Sequence, residues 1–157
     1  MPNDKLKKIK LARKLYLVLV GVLIAAFAYI LFFATDSQKY TSVQINNTTI
    51  NAEIAIDSQK QKEGLCCRDS LATNSGMLFV YDEPGHYSFW MKDTRIPLDI
   101  IWADSSKKVV HIESNIQPES FPESFSSLTP AQYVLEVNAG YVQEQNIVVG
   151  DSLDFNL

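Results

Sequence analysis

The chain has 157 residues, 46% of them hydrophobic, and a formal net charge of −4 at pH 7. The charge is divided unevenly: residues 1–14 hold six basic side chains and one acid, residues 15–157 eight basic and seventeen acidic. A segment near −9 without a basic stripe has nothing with which to neutralise phosphates, which argues against a nucleic-acid partner.

The run Leu15 to Phe33 is uncharged and mostly apolar, close to the ~20 residues that cross a bilayer. The basic flank before it predicts a cytoplasmic tail over 1–14, a transmembrane signal-anchor over 15–35 and a stalk over 36–41. Lipid around 15–35 is then a partner, and residues 42–157 form one extracytoplasmic domain tethered to the inner or cytoplasmic membrane. Two alternatives remain. Ala34 could sit at the −1 position of a cleaved signal peptide, although Phe32 fits −3 poorly. A buried helix is the other, but a small domain has little room for one apolar all round.

Past the stalk, period two dominates. Val43 and Ile45, the turn Asn46-Asn47, then Ile50, Ala52, Ile54 and Ile56 read as a hairpin. Ser58 to Gly64 is polar and suggests a short helix or loop. Gly76 to Tyr81 is a strand, which Asp82-Glu83-Pro84-Gly85 should close. From His86 to Lys92, Tyr87, Phe89 and Met91 share one face, and Trp90 and Lys92 share the other. Two strands, Pro97–Ala103 and Val109–Ile112, flank a tight turn. Asn115 to Pro130 reads as a surface loop, Tyr133–Val137 as a strand, Ala139–Gln145 as a helical turn or two, and Ile147–Leu153 as a return to sheet. The expected fold is mainly β, a small antiparallel barrel or roll with one or two short helices behind the single transmembrane helix.

Chemistry-bearing residues cluster between Ser88 and Asp99. Trp90 can stack on a ligand, Lys92 can attract an anion, and Arg95 and Asp99 offer directed polar contacts, so these four are the candidate ligand-binding residues. Asp99 stands in an otherwise apolar strand, where a carboxylate needs a partner; it could equally accept backbone hydrogen bonds or pair with Arg95 or Lys92. Asp99 and Asp93 are the candidate general acids or bases if the domain is an enzyme. His86 and His111 show no metal-ligand spacing, and Cys66-Cys67 lacks the C-x-x-C separation, so neither metal nor cofactor is expected. A disulfide between these neighbours would be strained.

The segments Gly64-Leu65, Gly76-Met77-Leu78-Phe79-Val80, Ser88-Phe89-Trp90-Met91-Lys92-Asp93-Thr94, Ile96-Pro97-Leu98-Asp99-Ile100-Ile101 and Tyr133 to Gly140 resemble the DUF192 family, also called UPF0127. The resemblance covers nearly all of Ile50 to Phe155. It implies a small, mainly β domain, often exported, with Trp90, Met91, Lys92, Thr94, Pro97, Asp99 and Gly140 at signature positions, and it implies no established activity. One departure is Cys66, where many members carry Met. The function expected from this reading is a membrane-anchored binding or accessory module for a small polar ligand, an envelope glycan or a partner protein; the alternative is an envelope hydrolase working through Asp99 or Asp93.

Overall fold

The computed structural model describes the backbone of residues 2–34 and all of residues 39–157; within 2–34, side chains are described at Lys10 and over 13–29. The chain divides into two units, 1–38 and 39–157. The first contains helix α1 (Pro2–Ala34).

Among the described residues, no helix is long and apolar enough to cross a membrane. The transmembrane anchor expected over 15–35 is corrected accordingly. With it go the lipid partner, the single-pass placement in an inner membrane, the extracytoplasmic location of the domain, and the envelope ligands and partners that this location implied. Residues 35–38, including the start of the expected stalk, lie outside the described residues.

The second unit is built on β1 (Tyr40–Ile45), β2 (Thr48–Ala55), β3 (Ser75–Gly85), β5 (Leu98–Ala103), β6 (Val109–Ile116), β8 (Ala131–Asn138) and β9 (Leu153–Asp154), in the order β6-β5-β8-β3-β2-β1-β9. A two-stranded ribbon, β4 (Ser88–Trp90) with β7 (Ser124–Ser126), stands apart from it. The β1–β2 hairpin turns at Asn46, whose φ of +53° suits asparagine. Helix α2 (Ser58–Glu63) is capped by the Asp57 side chain and ends at Gly64, φ +55°. Helix α3 (Tyr141–Glu144) starts after Gly140, φ +87°.

Three expectations change. The sheet is mixed, because β2 and β3 run parallel, with α2 in the crossover that a parallel pair requires. It forms a half-barrel: β6 and β9 are the outer strands, linked beside β6 by the isolated bridge Lys108–Ser152 and by backbone hydrogen bonds from Val109 N–H to the Asp151 carbonyl, Leu153 N–H to the Lys107 carbonyl and Gly150 N–H to the Val109 carbonyl. The expected breaker at 82–85 does not end β3; the register shifts between Val80 and Gly85, and pairing with β8 resumes at Gly85–Ala131.

Alternation along the strands feeds two cores. One face holds Val43, Ile50, Leu78, Ile101, Leu135 and Val137 beneath Tyr141, Val142 and Phe155. The other holds Met77, Phe79, Ile100, Trp102 and Val134 beneath Phe89, Met91 and Ile96. The indole of Trp102, fully buried, donates to the Tyr87 carbonyl at 3.1 Å and so fastens the ribbon's approach to the sheet.

Candidate functional site

Strand β8 carries an acid where its pattern calls for an apolar residue. Val134 and Glu136 share the face of the second core, Leu135 and Val137 the face of the first. Glu136 is buried, and its Oε2 has no hydrogen-bond partner, while the Leu65 N–H donates to the carboxyl group. Burial pushes the carboxyl up to about 7, against the opposing influence of the Leu65 N–H and of Arg68.

Gly64 makes room for its carboxyl group: a Cβ there would stand 3.3 Å from Glu136 Oε2. Gly76 instead admits the β8 backbone on the opposite face, where a Cβ would stand 2.5 Å from the Glu136 carbonyl oxygen and close to Val137 and Ile50 of the first core. Gly64 therefore serves twice, since its backbone is also left-handed. The result is a cavity of about 60 Å³ with Glu136 in its lining, walled by Gly64 and Leu65 after α2, by Phe79 and Tyr81 of β3, and by Ser88 and Trp90 of β4. Tyr81 stacks on Tyr87 at 3.4 Å, and its hydroxyl is raised above the usual phenol range, mainly by burial.

The segment after β4 supplies the remaining wall. Met91, buried in the second core, anchors a tight turn in which Thr94 N–H donates to the Met91 carbonyl at 3.2 Å and Asp93 takes φ +58°. This turn sends Met91 inward and leaves Trp90, 52% exposed, and Lys92 at the cavity; Thr94 lines it as well. Trp90 meets Phe121 edge-on at 6.1 Å. A shallower groove of about 190 Å³ shares Trp90 and Lys92 with the cavity and reaches Cys66 and Asp93.

The sequence-derived candidates separate. Trp90 and Lys92 line the same cavity, although β4 ends at Trp90 and Lys92 lies in the turn that follows it. Arg95 lines neither space and pairs with Asp69 at 2.7 Å in the open. Asp99 is fully buried, its Oδ1 accepting from Asn115 N–H at 2.7 Å and its Oδ2 from Val142 N–H at 2.9 Å. It ties β6 to the first turn of α3. Asp99 faces Val137 across the strands while Glu136 faces Ile100, so the two buried acids point to opposite sides of the sheet.

These positions overturn the hydrolase alternative. A general acid or base must reach the substrate proton. Asp99 is sealed with both oxygens engaged, and Asp93 sits on an exposed turn whose carbonyl accepts the Cys67 N–H at 2.9 Å. His86 is bound to the Ser127 carbonyl and His111 to the Glu113 carboxylate. Among the described residues, no group of three His, Cys, Asp or Glu side chains is placed to hold a metal. Glu136 was missed in the sequence although it carried the signal that marked Asp99, an acid between two apolar residues of a strand.

Cys66 and Cys67 are free thiols, half-buried and exposed respectively. They hydrogen-bond to each other, and this contact, followed by burial, pushes the Cys66 thiol up to about 11. Arg68, next in the chain, grips Glu53 of β2 with both guanidinium nitrogens at 2.6 and 3.0 Å. That hydrogen bond holds the Glu53 carboxyl below the usual range.

The DUF192 family model, described as "Uncharacterized ACR", matches residues 41–155. No curated protein matches the chain. Among solved structures, a candidate transcription regulator from Sinorhizobium meliloti 1021 superposes with a TM-score of 0.72 at 31% identity, covering 76% of this chain and 95% of its own. A protein of unknown function from Novosphingobium aromaticivorans DSM 12444 follows with a TM-score of 0.69, also at 31% identity, covering 73% and 84%. The signature residues thus find their reasons in one fold: Met91 and Thr94 shape a turn, Asp99 secures a helix, and Gly140 begins it. With its pattern matched from β1 to the end of β9, this chain belongs to the DUF192 family.

Proposed function

We propose that the domain is a small-molecule binding module whose ligand inserts one hydrogen-bond-donating group, an amine, amide or hydroxyl, against Glu136. The observation that carries this reading is the unpartnered Oε2 of Glu136, a buried acceptor in the wall of a cavity that opens beside an exposed tryptophan. A buried polar atom without a partner costs about 1–3 kcal/mol, a deficit that a donor from outside removes. The cavity, at about 60 Å³, is far smaller than the ~300 Å³ of the smallest whole-ligand pockets. It accommodates a head group, and the rest of the ligand lies over Trp90 and Lys92.

The likeness to a candidate transcription regulator does not redirect this reading toward DNA. Residues 15–157 carry seventeen acids against eight bases, and the described helices after α1 have six and four residues, too short to lie along a major groove.

Amide-resolved NMR of the full chain tests the proposal with methylamine, acetamide and methanol as probes. Saturable shifts at Leu65, Glu136 and the Trp90 indole are expected with at least one probe, and Glu136→Gln should abolish or re-rank them. No saturable shift at these groups refutes the reading.

A further inference from the structure

We propose that the group entering the Glu136 cavity is the amine end of a short, unbranched zwitterion, and that Lys62 and Lys92 hold the carboxylate or phosphate at its other end. The inference rests on the reading of Glu136 as the cavity's acceptor and adds the chemical class of the ligand.

The two lysines reach the cavity from different elements, Lys62 from the last turn of α2 and Lys92 from the turn after β4. Both also line the groove of about 190 Å³, together with Glu63 and Trp90, so these four residues mark where cavity and groove adjoin. Neighbouring basic side chains are already paired: Lys60 with Asp57 at 4.0 Å, Arg68 with Glu53 at 2.6 Å and Arg95 with Asp69 at 2.7 Å. Among the described residues, neither Lys62 nor Lys92 takes part in an ion pair.

Two acids stand nearby. Glu63 lines both spaces, and its carboxylate accepts from the Gln59 side-chain amide. Asp93 lines the groove but not the cavity. Apart from Glu136, the cavity lining thus sets two lysines against one carboxylate, and all three are exposed while Glu136 is buried. The site has an acceptor at its inner end and an excess of positive charge at its outer end.

Between the ends the walls are apolar, with Leu65, Phe79 and Phe89 buried and Trp90 at the rim. Methylenes suit such walls, and a space of about 60 Å³ favours an unbranched chain. An ammonium would meet the Glu136 carboxylate in a charge-assisted hydrogen bond. Lysine is a point charge without a fixed fork, so the outer end serves carboxylate and phosphate alike.

The test is an amide-resolved NMR titration of the full chain at pH 7 with matched probes. Glycine, β-alanine and 4-aminobutyrate are each compared with the corresponding amide, and 2-aminoethyl phosphate with ethanolamine. Each pair shares its amine and differs in the charge at the far end. At least one anionic probe should bind about fivefold tighter than its uncharged partner while shifting Leu65, Glu136 and the Trp90 indole together. Lys62→Gln and Lys92→Gln, both at exposed positions, should each narrow that ratio. Raising the ionic strength to about 1 M, where charges are screened within about 3 Å, should narrow it in the wild-type chain, independently of how the variants fold. Equal affinities within every pair, a ratio that neither variant changes, or shifts at Trp90 without Glu136 would each overturn the proposal. If methylamine, acetamide or methanol still binds in that event, Glu136 stands as the acceptor and only the zwitterion falls. If all three are silent, the acceptor reading falls and takes this inference with it.

Discussion

Replacing Glu136 with glutamine removes an ionisable proton from the interior while keeping the side chain's size. In the unfolded chain this carboxyl loses its proton near 4.5, and in the folded chain near 7. Between those values the folded state therefore holds one proton more than the unfolded state, and stability falls as pH rises. The contribution is complete below pH 4.5 and gone above pH 7. At about 1.4 kcal/mol per pH unit, ionising Glu136 in its buried position costs about 3 kcal/mol across that window. Glutamine has no proton to lose. Urea denaturation followed by the fluorescence of buried Trp102 should place the two proteins within about 1 kcal/mol at pH 5, and the variant ahead by about 2–3 kcal/mol at pH 8. Other groups titrate in the same range, but they are common to both chains and cancel in the difference. If the two stability curves run parallel from pH 5 to 8, the carboxyl does not titrate in the interior, and the reasoning about the cavity fails with it.

Binding should show the opposite slope for one ligand class: with a carboxyl half-ionised near pH 7, methylamine affinity should rise about tenfold from pH 6 to pH 8, whereas methanol affinity should not follow it. NMR titrations at the two pH values measure both. Asp99→Asn places an amide N–H₂ against one of two backbone N–H donors in a sealed site, and should cost about 2–4 kcal/mol in urea melts; a cost below about 1 kcal/mol would show that the pair of bonds is dispensable. Gly64→Ala forces a Cβ into a left-handed backbone 3.3 Å from Glu136 and should destabilise by about 1–3 kcal/mol while moving the Glu136 titration, read by carbon-detected NMR. Arg68→Gln should cost about 1 kcal/mol or less near neutrality. Because Arg68 lowers the Glu53 carboxyl, that contribution is present above pH 4.5 and fades as the pH drops through the depressed value, so the gap between variant and wild type should close in acid.

Much of the sheet is legible in the chain because its signals are local. Alternation and Asn46-Asn47 specify the first hairpin, and the apolar runs either side of Asp104 to Lys107 specify the β5–β6 pair. What was not legible depends on partners. Period two says that a strand exists but not which way its neighbour runs, so the parallel β2–β3 pair had no signature. The breaker at 82–85 is absorbed because a bulge lets β3 rejoin β8, and Ser124–Ser126 forms a strand only because β4 lies beside it. The same limit governs the site. Trp90 and Lys92 could be grouped from their nearness in the chain, though a turn and not a strand carries Lys92 to the cavity, but Asp99 and Glu136 present the same pattern in sequence. Their difference comes from the sheet face: Asp99 has both oxygens met by backbone donors, whereas Glu136 has one oxygen left facing the space beside Gly64. In α1 an apolar run suggested a spanning helix, yet among the described residues no helix is long and apolar enough to cross a membrane.

The parallel pair has a consequence for the order in which the chain finds its fold. The β1–β2 and β5–β6 hairpins close over short loops, so their pairing needs little chain entropy. Strand β3 can join β2 only after the crossover from Ile56 to Asn74 has been laid down, and β8 must then return from some fifty residues downstream. Gly64 and Leu65 ride on that crossover, and Glu136 on β8. The proposed Glu136 site is thus assembled by the late, long-range step of folding, and a chain arrested before it would carry its hairpins intact but bind no amine.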